Sequence, residues 1–186
     1  MRLTPRELLI LFAAGAAGGL IGDAANVNAG ITRYLSDSGP VIWRSPIWFP
    51  ILVGTATASV GVVRMLLGPV RRATDPRIAV GAGASAIGVY AVTSLVDNDE
   101  TAAIALVTAL GVLVACAFAD RPGLICGLIA MAVGPLVEIA IVQLDLSEYT
   151  SPNDGLFGVG PTLPGLYLSF GVAAARITEV LLARRT

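Results

Sequence analysis

Two carboxylic acids, Asp23 and Glu138, interrupt otherwise apolar stretches of this 186-residue chain. An acid in the middle of an oily helix costs ~2.5–3.5 kcal/mol to insert, so its presence asks for a reason. One reason is structural: Asp23 as a helix-end carboxylate near a membrane boundary, Glu138 as a protonated or hydrogen-bonded glutamate. The other is chemical: a polar group that anchors the head of an amphiphile or a partner. Asn26 and Asn28 follow Asp23 on the same stretch, and Glu138 lies six residues from the end of its own at Leu144. Thr55, Tyr90 and Ser94 add polar groups on neighbouring stretches. The candidate lipid-binding residues are therefore Asp23, Asn26, Thr55, Tyr90, Ser94 and Glu138. Thr55, Thr57 and Ser59 can also bond back to their own helix, which weakens Thr55 as a candidate. Arg176 and Glu179, three apart, can pair along one helix face.

What the chain lacks narrows the chemistry. It has no His and two Cys, too few ligands for a zinc site and no base for a Ser–His–Asp arrangement. No nucleophile or metal cluster suggests an enzyme, and no cofactor is expected. A net charge of −1 gives no basic footprint for nucleic acid.

The elements that must carry these residues follow from composition. Apolar residues make up 55% and charged residues 13%, with a mean hydropathy of +0.80. So little charge cannot coat a water-soluble globule. Uncharged runs of 19 residues occur at 45–63, 78–96 and 101–119, and one of 21 at 155–175. Each approaches the roughly 20 residues that cross a bilayer. The reading is an all-α polytopic protein, a single domain of six transmembrane helices. The spans are about 8–27, 46–66, 78–96, 101–119, 123–144 and 161–182.

All 12 basic residues are Arg. Arg2, Arg6, Arg64, Arg71, Arg72, Arg77, Arg121, Arg184 and Arg185 fall on one side of this topology; Arg33 and Arg44 fall on the other. Positive residues stay inside, so both termini are expected in the cytosol. Tyr34, Trp43 and Trp48 read as an aromatic belt at the outer boundary. Gly15/Gly19, Gly18/Gly22 and Gly123/Gly127 are spaced for close helix contact, and small residues on many faces suggest a homo-oligomer. Pro50 and Pro164 are expected to loosen the outer parts of two spans, and Pro135 to open the fifth beside Glu138. Cys116 and Cys126 sit towards the cytosolic side, where a disulfide is not expected.

Three stretches resemble the insulin-induced gene (Insig) family. Trp48, Pro50 and Gly54-Thr55-Ala56 precede a small-residue run as in that family's second span. Glu148-Tyr149-Thr150-Ser151-Pro152-Asn153 resembles its last lumenal loop. Asp120-Arg121 followed by Gly123 resembles the opening of its fourth loop, and Asp97 and Asp99 its acidic third loop. With Leu163-Pro164 these run in order over about 45–180. The resemblance implies a six-span fold, a sterol or diacylglycerol-like lipid bound inside the bundle, a sensor or regulatory role, and a membrane-protein partner met at Asp120. Ala103 stands where the family carries a sterol-site Gln, which implies a diacylglycerol-like lipid more than cholesterol. Without Lys, ubiquitination does not carry over; the all-Arg composition points to a bacterial relative in the cytoplasmic membrane. A small proton-coupled or lipid transporter and a ligand-free scaffold are the alternative functions.

Overall fold

The computed structural model describes residues 2–35, 39–69, 75–96 and 99–183. Among these residues six helices carry the fold: α1 (Pro5–Ala29), α2 (Trp48–Leu66), α3 (Pro76–Thr93), α4 (Glu100–Phe118), α5 (Arg121–Gln143) and α6 (Leu163–Ala183). Five of them are long and apolar enough to cross a membrane. The exception is α3, whose 18 residues include Pro76 and Arg77 in the first turn. Among the described residues four short strands, β1 (Thr32–Tyr34), β2 (Val41–Ile42), β3 (Ser45–Pro46) and β4 (Ser147–Tyr149), lie in the segments before α2 and α6.

Acids at or just outside the ends of the runs act as helix caps. Asp75 accepts from Arg77 N, Asp99 from Ala102 N and Asp120 from Gly123 N, so each takes a first-turn donor that has no partner within its helix. Thr4 and Glu7 form a reciprocal capping box on α1. The prolines fit the same logic and correct an expectation. Pro50 and Pro164 stand in the first turns of α2 and α6, where a missing N–H costs nothing, so they loosen neither helix. Pro135 alone falls in a helix interior among the described residues.

Helix α6 is the hub. Fifteen of its 21 residues are buried, many of them Gly, Ala or Ser, and it packs on α5, α4, α3 and α2. Bare backbone lets these helices approach where lipid supplies no hydrophobic drive between them. The rest of the bundle forms two pairs, α1 with α2 and α3 with α4, and α2 meets α5 only sparsely.

Each end has its own fastening. At the sheet end, β1 pairs antiparallel with β4 in the register Thr32↔Tyr149, Arg33↔Glu148 and Tyr34↔Ser147. Thr150 N donates to Ile31 O beside it, and Arg33 Nε donates to Glu148. At the terminal end, Arg64 was counted among the arginines of the cytosolic side. It is instead almost fully buried in the last turn of α2, donating from Nε to Glu179 Oε1 at 2.6 Å across to α6. Arg176 pairs with Glu179 as its spacing suggests, and donates to Phe118 O.

Candidate functional site: an oily cavity with one acidic end

Between these fastenings lies a cavity of about 300 Å³, walled by α1, α2, α3, α5 and α6. Nearly all of its lining is aliphatic, aromatic or glycine; the polar members are Thr57, Ser59, Tyr90, Glu138 and Tyr167. Thr57 and Ser59 donate to Val53 O and Thr55 O of their own helix, which leaves no hydroxyl hydrogen for a guest. Ser59 on α2 and Ile129 and Val133 on α5 line the cavity and are also exposed, so it opens on the flank where α2 and α5 barely touch.

The polar end is built by one device used twice. Glycine leaves a gap on a helix face, and the residue four further on lies on the same face. On α5 the gap is Gly134: a Cβ there would sit 2.3 Å from the Tyr167 ring. The ring lies against this bare backbone, and its hydroxyl donates to Glu138 Oε1 at 2.8 Å, one turn on. On α1 the gap is Gly22, where a Cβ would sit 1.9 Å from the Tyr90 ring. Tyr90 thereby brings its hydroxyl to the Asn26 side chain, again one turn on. Tyr149 of β4 donates to Glu138 Oε2 from the sheet end at 3.4 Å. Burial, and next the Glu138 carboxylate, push the Tyr149 phenol well above its ordinary range, so it stays a protonated donor.

The structure thus brings Tyr90 and Glu138 together in the cavity wall and puts Asn26 behind Tyr90, with its Oδ1 accepting from Thr93 at 2.8 Å. Three other candidates stand elsewhere. Asp23 is buried at 2% exposure away from the cavity, accepting from Ser45 Oγ and, at 2.9 Å, from Tyr34 Oη. It ties the segment before α2 onto α1. The Tyr34 phenol is pushed up by burial first and by the Asp23 charge second. Thr55 faces away from the bundle and donates to Ile51 O. Ser94 closes α3 and donates to Ala91 O. Tyr167 and Tyr149 were missed; the glycine one turn before Glu138 was the signal that an aromatic ring would seat there. Of the expected belt, Trp43 is exposed at the β2–β3 turn, while Tyr34 packs edge-on against Trp48 and Phe49.

Asp120 lies at the opposite end. Besides capping α5 it approaches Arg176 at 3.8 Å and is half-exposed. Asp120→Ala should lower stability by ~1 kcal/mol through loss of the cap, while Asp120→Asn, which still caps, should lose only a few tenths. Thermal unfolding in maltoside micelles would separate the two.

A six-helix, polytopic membrane bundle that keeps an acid-ended oily cavity is the class these features define. No protein-family model matches the chain. The chain is 45% identical over all 186 residues to an INSIG protein homolog of Mycolicibacterium vanbaalenii, spanning 91% of that protein. It is also similar to the crystal structure of a mycobacterial Insig homolog, MvINS from Mycobacterium vanbaalenii. There the TM-score is 0.96 at 44% identity, covering 100% of this chain and 99% of that one. A cross-linked trimer of a cysteine variant of MvINS superposes equally well, with 43% identity and the same coverage. The chain belongs to the Insig family.

Proposed function

We propose that this chain holds one amphiphilic lipid, diacylglycerol-like or sterol, in the cavity between its helices, and serves as a sensor or regulator rather than as an enzyme. The observation that carries the reading is the cavity itself: an oily space open to the bundle flank, with its polar groups gathered at one end. A guest leaving the bilayer gains little from apolar burial alone, since its chains come from hydrocarbon and not from water. Selectivity must come from shape and from a few polar contacts.

The nine-to-two Arg asymmetry supports both termini in the cytosol, and the mycobacterial relative supports a bacterial cytoplasmic membrane. The cross-linked trimer of the relative supports a homo-oligomer here too. Asp120, half-exposed at the terminal end, is the proposed contact for a membrane-protein partner.

The test is gentle extraction followed by mass spectrometry of the lipids that copurify. A single lipid class near one per chain is the expected result. A mixture that mirrors the host bilayer would count against the reading.

A further inference from the structure

Among the described lining residues Glu138 is the only carboxylic acid, and none is an Arg. Both phenols beside it spend their hydrogens on its two carboxyl oxygens. Each carboxylate oxygen offers more than one acceptor site, so unfilled acceptors remain at the cavity end. Tyr90, whose oxygen lies against Asn26, stands across the cavity end on α3.

We infer that Glu138, backed by Tyr167 and Tyr149, sets the head-group choice: it accepts a hydrogen bond from the hydroxyl of a neutral lipid and turns away anionic phosphate heads. The inference rests on the lipid-binding reading and deepens it. A hydroxyl can donate to Glu138 and accept from Tyr90. A phosphodiester brings no donor and a fixed negative charge into a medium of low dielectric, and no cation among the described lining residues offsets the cost of burying it. Rejection of the wrong guest is then built into the same residue that holds the right one. The Gly134 gap makes this possible by letting the Tyr167 ring lie flat enough to reach the acid.

The experiment uses the purified 186-residue chain in non-ionic micelles and three probes: dioleoylglycerol, its O-methyl ether and dioleoyl phosphatidylmethanol, a phosphodiester with no hydrogen to donate. The ether keeps both chains and the oxygen but has no hydrogen to donate. Wild type should bind dioleoylglycerol about tenfold more tightly than the ether, as one hydrogen bond allows, and phosphatidylmethanol more weakly still. Glu138→Leu should bring the three within a few-fold of one another. Glu138→Gln, nearly the same shape but with an amide N–H to donate, should gain phosphatidylmethanol while keeping part of the hydroxyl preference. Equal binding of dioleoylglycerol and its ether by wild type would overturn the inference and leave the lipid-binding reading standing. So would a full preference surviving in both variants. Failure of wild type to bind any of the three would sink both.

Discussion

Glu179→Leu should be the most damaging single change at the terminal end, costing ~3–5 kcal/mol or preventing recovery of folded protein. Arg64 and Glu179 are 2% and 1% exposed, and Arg176 reaches the same carboxylate from one turn away. Removing the acid strands two guanidinium groups facing each other in a dry setting. Among the described residues Arg64 would keep only the Gly68 carbonyl, and Arg176 the Phe118 carbonyl and the half-exposed Asp120 at 3.8 Å, which leaves the buried Arg64 charge without a replacement. The double variant Arg64→Met with Glu179→Leu should recover much of the loss, because it removes the cost of burying the pair along with the pair. Melting temperatures in maltoside micelles decide the matter. A double variant no better than the single one would mean that the network cannot be reduced to this pair.

Why the sequence showed some of this and hid the rest comes down to range. The span ends were legible because capping is local: Asp99 and Asp120 flank the run 101–119 and hold the first turns of α4 and α5 within three residues of themselves. Arg64 was not legible. A charge at a span end looks the same whether it reaches water or meets an acid 115 residues away. The β1–β4 pairing is equally distant, and three-residue strands carry no period of their own. Within the site the two acids looked alike in sequence, but their neighbours divide them. Asp23 meets Ser45 and Tyr34 and is closed off; Glu138 has Gly134 one turn back and a cavity in front. Thr55 failed by helical phase. Thr57, two residues on, is turned about 200° from it and faces inward.

Gly111→Ala and Gly165→Ala test the packing that leaves the cavity on one side of α6 only. At Gly111 a Cβ would sit 2.3 Å from the Gly165 carbonyl oxygen. At Gly165 it would sit 2.8 Å from Thr108 Cα and 2.9 Å from Val107 O. Every one of these neighbours is backbone, so no side chain can swing aside. The helices themselves must part, and α4 would lift off the core that holds Val107, Val114, Leu166 and Leu168 together. Each substitution should therefore cost at least ~3 kcal/mol, the upper end for an added methyl in a packed core. Gly88 supplies the contrast. On α3 its Cβ would meet nothing within 4 Å, so Gly88→Ala gains the better helix propensity of alanine and should melt at or slightly above the wild type. If Gly111→Ala melts like Gly88→Ala, α4 and α6 do not cross backbone to backbone. The hub then has slack, and the cavity is not a fixed gap between rigid walls.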